Sequence, residues 1–100
     1  MSYLGIYLDQ IVKKKGFSSD TELAKFLDIS RQHISRIRRE GAMSDEKCLL
    51  VAQVLDINPL ELFALVRARK SKTKETREIW MELHKKTKRV KAYILLNSNE

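Results

Sequence analysis

The sequence predicts an all-α fold: five helices in an N-terminal module and a sixth, amphipathic helix behind it. Three observations predict this. Apolar residues recur at helical spacing in one segment after another. Residues suited to capping helix starts, Ser19, Ser30, Ser44 and Asn58, stand just ahead of those segments. Nowhere do apolar and polar residues alternate as they would in a strand with one wet face, and no internal repeat stands out.

The first helix is expected over Leu4 to Lys15, where Leu4, Tyr7, Leu8, Ile11 and Val12 form one stripe. Gly16 is placed to end it, with Phe17 packing back on the last turn. Ser19-Asp20-Thr21-Glu22 then reads as a capping box, in which Ser19 serves the new helix and Glu22 reaches back to Ser19. Leu23, Ala24, Phe26 and Leu27 supply the apolar face of this second helix, which must stop near Asp28 because Ser30 caps again at once. The third helix carries only Ile34 and Ile37 as apolar residues, so it docks along a narrow seam and ends at Glu40-Gly41. Ser44 caps a fourth helix, with Asp45 and Glu46 in the first turn, where negative charge suits the helix dipole. Leu49, Leu50, Val51, Ala52, Val54 and Leu55 make it the expected central core helix. Asn58-Pro59-Leu60-Glu61 starts a fifth, with Asn as cap, Pro at the first position and Glu three beyond the cap. Ser71 to Lys74 reads as a loop. A sixth helix follows from about Glu75 to Ile94, with Ile79, Leu83, Val90 and Ile94 on one stripe and Trp80, Thr87 and Tyr93 beside it.

Functional weight falls on the third helix. Two short helices, each with its own cap, meet across the tight turn Leu27-Asp28-Ile29-Ser30. The second of them presents Arg31, Gln32, Ser35 and Arg36 away from Ile34 and Ile37. A helix fits the major groove of duplex DNA, with its first turns at the base edges. Arg grips guanine O6 and N7 with two bonds, and Gln does the same for adenine. Arg38 and Arg39, at the far end, suit phosphate, and His33, within the same helix, is a further candidate to touch phosphate or a base. A merely solvated polar helix face fits this segment equally well.

The wider pattern separates the two readings. Leu23-Ala24-x-x-Leu27-x-Ile29-Ser30-Arg31-x-x-Ile34-Ser35-Arg36-Ile37 strongly resembles the helix-turn-helix domain shared by phage Cro and repressor proteins and many bacterial regulators. The resemblance continues through Leu49-Leu50-Val51-Ala52-x-x-Leu55-x-Ile57-Asn58-Pro59-Leu60-Glu61-Leu62-Phe63, and so spans roughly Leu4 to Phe63. It implies a five-helix, lambda-repressor-like domain over residues 1–66 whose third helix reads bases through Arg31, Gln32 and Arg36. Ser35 then faces either base or backbone. It also implies phosphate contacts from the start of the second helix, Ser19 to Thr21. Asp28 stands where the family usually has glycine, and Asp tolerates the left-handed backbone that such a turn needs. Asp20 replaces a frequent glutamine, and its charge opposes a phosphate there.

Charge divides the chain at the same place. Of its 20 Lys and Arg residues, nine lie in residues 1–66, balanced by nine acids, whereas residues 67–91 hold eleven basic residues against three acids. A patch of this kind attracts a polyanion, and Arg67, Arg69, Lys70, Lys72 and Lys74 are placed to add phosphate contacts. The extension, 67–100, has a fainter likeness to tails on small regulators of filamentous phages and prophages. Its apolar stripe either packs on its own domain or pairs with a second subunit. The expectation is a dimerisation surface of Ile79, Trp80, Leu83, Val90, Tyr93 and Ile94, because operators read by such domains are commonly two-fold symmetric.

Other chemistries find little support. Cys48 is the single cysteine, so no internal disulfide forms; with no spanning apolar segment and no signal peptide at the start, a cytoplasmic, nucleoid-associated protein is expected. His33 and His84 form no ligand spacing with Cys48, and His84 falls on the polar side of the last helix, so no metal or cofactor is expected. No nucleophile, phosphate-cradling glycine loop or acid/base pair points to an enzyme. The resulting expectation is a transcriptional repressor acting on double-stranded DNA as a homodimer, with no membrane partner. An antitoxin or adaptor whose last helix binds a protein partner is the alternative, and RNA or membrane binding through the basic tail is a weaker one.

Overall fold

The computed structural model describes the backbone of residues 2–97 and the side chains of residues 2–88. Within them lie α1 (Leu4–Lys15), α2 (Asp20–Leu27), α3 (Arg31–Glu40), α4 (Asp45–Leu55), α5 (Pro59–Lys70) and α6 (Lys74–Asn97). No strand occurs among the described residues. The all-α prediction and the order of elements are as the sequence indicated. The last helix starts one residue earlier than expected and continues past Ile94, and α5 runs through the change of charge at Arg67 to Lys70.

The core forms where α1 to α5 converge. Leu8, Ile11, Leu23, Leu27, Ile34, Ile37, Val51 and Leu62 are fully buried, each contributing about 1.5–3 kcal/mol by leaving water. The most apolar helix is not the central one. α4 buries Cys48, Val51 and Ala52, whereas Leu49 is 43% exposed. Its apolar residues run round the helix, wider than the one face that α1 and α5 cover. α1 takes the central place instead, with Leu4, Gly5, Tyr7, Leu8 and Ile11 buried.

One turn is used repeatedly. At the end of α2, Asp28 adopts the left-handed conformation (φ 57°, ψ 47°) and the N–H of Ile29 donates to the carbonyl of Ala24 at 3.0 Å. At the end of α4, Asp56 does the same (φ 56°, ψ 49°), and Ile57 N–H donates to Ala52 at 3.0 Å. These are Schellman caps, in which orphan carbonyls of the last turn are satisfied by a chain that reverses through one left-handed residue. The segments Ala24–Ser30 and Ala52–Asn58 share the Leu-Asp-Ile core and end on the next helix's cap. A local recurrence therefore exists where the sequence showed no repeat. Gly16 (φ 71°) ends α1 in the same way, and Phe17 N–H reaches Val12 as expected.

α6 lies against α5, and the face it turns inward differs from the predicted stripe. His84 and Thr87 are buried and Trp80 and Met81 half-buried, while Ile79 is 65% exposed. The inward face is thus rotated by about one residue, or 100°. Two hydrogen bonds explain how polar residues come to lie inside: His84 Nδ1 meets the carbonyl of Glu61 at 2.9 Å, and Thr87 Oγ1 donates to Leu83 at 2.7 Å. His84 on the polar, solvent side is corrected accordingly. Among the described residues no helix is long and apolar enough to cross a membrane.

Candidate nucleic-acid interface

The local sequence fixes where α3 begins. Ser30 is extended (φ −75°, ψ 157°), and its Oγ accepts from the N–H of His33 at 3.0 Å. Ile34 and Ile37, both fully buried, hold the helix on α1 and α2. At 100° per residue, Arg31, Gln32, Ser35, Arg36 and Arg39 fall within an arc of about 140° on the opposite side. All five are exposed, and His33 is half-buried on the flank. The residues expected to read bases thus share one open face.

The far end of α3 is tied down by residues that the sequence reading missed. Ser2 donates twice, from its N–H to the carbonyl of Arg38 and from its hydroxyl to that of Ile37, both at 2.8 Å. Arg69 Nε donates to the carbonyl of Glu40 at 2.6 Å. Gly41, left-handed at φ 69°, returns its own N–H to Ile37. Between them they satisfy carbonyls that a helix end otherwise leaves to water. No periodicity announces Ser2 or Arg69, because each bond depends on how distant segments cross.

Arg38 is placed differently from the free phosphate donor that was expected. Its guanidinium grips Asp20 with two bonds and reaches Asp9 at 2.7 Å. The bond to Asp20 holds this guanidinium's pKa above its ordinary value, against the opposing effect of partial burial; Asp9 adds to it. The same contact answers the difficulty at Asp20, whose charge is met within the protein. Arg39 remains exposed at the last turn. Arg36 makes an exposed i,i+4 ion pair with Glu40 at 3.1 Å, of a kind that contributes only about 0.3–0.5 kcal/mol and yields readily to a stronger anion.

At the start of α2, Ser19 and Thr21 are exposed, as a phosphate contact requires. Ser19 Oγ accepts from Glu22 N–H at 3.4 Å, but the Glu22 carboxylate takes the N–H of Ser18 at 2.5 Å rather than that of Ser19, so the capping box is shifted by one residue. Glu61 differs too. It is not an exposed cap partner but a buried acceptor for the Tyr7 hydroxyl, while Asn58 alone caps α5 by accepting from Leu60.

Of the residues assigned to dimerisation, Ile79 is exposed, Leu83 is half-buried, and Trp80 is half-buried with the Arg67 guanidinium 5.9 Å above its ring. The side chains of Val90, Tyr93 and Ile94 lie outside the described residues. Two short capped helices, a left-handed Asp between them and an open cationic face on the second are the parts from which a groove reader is built.

Comparison with known families agrees with this geometry: the family described as helix-turn-helix matches over residues 8–62, from α1 into α5. No curated protein and no solved structure matches the chain.

Proposed function

The chain belongs to the helix-turn-helix family of DNA-binding regulators, of the Cro/repressor type, and from that premise we propose that it is a transcriptional repressor whose α3 enters the major groove of a two-fold symmetric operator. Arg31, Gln32, Ser35 and Arg36 meet the base edges, with Arg36 leaving Glu40 to do so. Ser19, Thr21, His33 and Arg39 meet phosphates. Arg38 takes no part in contact; it positions α3 through Asp20 and Asp9. The observation that carries this reading is the single exposed face that holds all four base-reading candidates opposite Ile34 and Ile37. The protein acts in the cytoplasm on nucleoid DNA.

Residues 1–66 do the reading and residues 67–100 pair two subunits. Support for pairing comes from the rotated face of α6: with Trp80, His84 and Thr87 turned to α5, Ile79 stays exposed and Leu83 half so on the adjoining side. Selection from a random duplex DNA pool at about 0.15 M salt tests both points, because non-specific phosphate contacts are already weakened there. Enrichment of a two-fold symmetric motif is expected. A single half-site means a monomeric reader, and no motif at all removes sequence-specific binding.

A further inference from the structure

We propose that the end of α5 and the loop into α6, carrying Lys70, Lys72 and Lys74, form a second seat for the DNA backbone, outside the base pairs read by α3. This seat presupposes the placement of α3 in the major groove proposed above.

Position is the first argument. Arg69 Nε holds the carbonyl of Glu40, so α5 ends beside the last turn of α3. A side chain at Gly41 would meet the Arg69 Cγ within 3.5 Å, which brings the two segments into contact on a second count. The charge of Lys70 is felt at Cys48, so the same end of α5 also lies near the first turns of α4. The junction of α3 with α4 and the end of α5 therefore form one edge of the molecule. When the N-terminal turns of α3 are at the base edges, its C-terminal end points out of the groove toward the sugar–phosphate strand.

Charge is the second. Lys70, Lys72 and Lys74 are exposed, and Glu75 is the single acid between Arg67 and Arg77. Among the described residues no carboxylate lies within 4.0 Å of Lys70 or Lys72, and Lys74 only just reaches Glu78 at that distance, with both side chains largely in water. Two neighbouring cations are used elsewhere: Arg67 lies over Trp80, and Arg69 holds α3. The three lysines are ammonium groups with no structural duty, along an edge that already carries Arg39.

The test compares the full chain with the Lys70→Gln/Lys72→Gln/Lys74→Gln variant by fluorescence anisotropy. Two duplexes carry the selected motif, one ending at it and one longer on both sides, over 50–200 mM salt. Loss of three phosphate contacts lowers the slope of log affinity against log salt by about 2.7, so the native chain loses roughly 40-fold more affinity across that range. Its advantage on the longer duplex also disappears in the variant, while preference for the motif over scrambled DNA is kept. The Lys-to-Arg variant at the same positions retains the native slope. An unchanged slope in a variant that melts normally overturns the proposal, as does equal loss on both duplexes. If the native chain selects no motif, the placement of α3 fails and the seat defined against it is overturned with it; a glutamine variant that still lowers the slope on random duplex then leaves only phosphate contact by these lysines, without a place relative to α3.

Discussion

Arg38 and Asp20 are joined by two parallel bonds, Nε to Oδ2 at 3.0 Å and Nη2 to Oδ1 at 2.9 Å, which lock the last turn of α3 to the first residue of α2. In the proposed complex, the angle between these helices sets how α3 enters the groove. A planar guanidinium on a carboxylate resists both sliding and twisting in a way that a single ammonium contact does not. The pair is about one-third exposed on the Asp side and less on the Arg side, so it ranks between a surface bridge and a buried one. Arg38→Met is expected to cost about 1–2 kcal/mol, and Asp20→Asn less, because only the former leaves two carboxylates uncompensated. Chemical denaturation of both singles and the double variant measures the coupling. Strict additivity means that the bond contributes nothing. Arg38→Lys, which keeps the charge and loses the fork, is expected to keep most of the stability yet weaken binding to the selected duplex.

Arg36 supplies a second prediction. In the free protein it is held by Glu40, and in the proposed complex it leaves that partner for a base. Glu40→Gln removes both the competing bond and a negative charge close to the backbone. Affinity is expected to rise about two- to fivefold with the motif unchanged, the size of a weak i,i+4 pair plus a small repulsion. Arg36→Ala is expected to lose about 1–3 kcal/mol of discrimination at one base pair of each half-site. A series of single-base operator variants separates the two effects. If Arg36→Ala weakens all sequences alike, Arg36 is a phosphate contact.

These cases show where the sequence was legible. Caps are local, so Ser30, Ser44, Asn58 and Gly16 announced the helix ends to within a residue. The exposed face of α3 was legible for the same reason, since Ile34 and Ile37 are the apolar residues that orient that helix. Arg38, Glu61 and His84 were not. Each is a polar residue taken inward by a partner from another segment: Asp20 and Asp9, the Tyr7 hydroxyl, and the carbonyl of Glu61. Hydrophobic periodicity counts such residues as outward-facing, and so the inward face of α6 was displaced by one position. The recurring Leu-Asp-Ile turn was legible in principle, but it spans too few residues to register as a repeat.

Alkaline pH gives a third prediction. Burial pushes the Cys48 thiol up to about 12, and the nearby charge of Asp45 adds to this while Lys70 opposes it. Burial, the bond to Glu61 and that carboxylate's charge raise the Tyr7 phenol too. The folded chain therefore keeps protons that the unfolded chain gives up. The resulting stability is fully present below about pH 8.5, the ordinary thiol value, and falls as pH rises toward 12, at up to about 1.4 kcal/mol per pH unit for each group. At pH 8.5, alkylation of Cys48 is expected to run at least about 100-fold slower in native protein than in denaturant, because the thiolate is the nucleophile. Comparable rates mean that the thiol is open.

Asp28 and Asp56 offer a matched pair of sites for the last prediction. Their backbones agree within a few degrees, their caps use the same two bonds, and neither side chain holds a partner among the described residues. The left-handed conformation costs most L-residues about 1–2 kcal/mol, less for Asp, and Gly nothing. Replacing either Asp by Gly is expected to stabilise the fold by about 0.5 kcal/mol, since the relief of strain is partly offset by the greater freedom of the unfolded chain. Valine at either site is expected to destabilise, because a β-branched residue tolerates this backbone worst. The turns lie in separate parts of the domain, so the two glycine effects add. Denaturation midpoints of the two singles and the double variant decide it. If Asp28→Gly destabilises while Asp56→Gly does not, the backbone is not what distinguishes them. The Asp28 side chain then contributes to the start of α3 through a contact of its own.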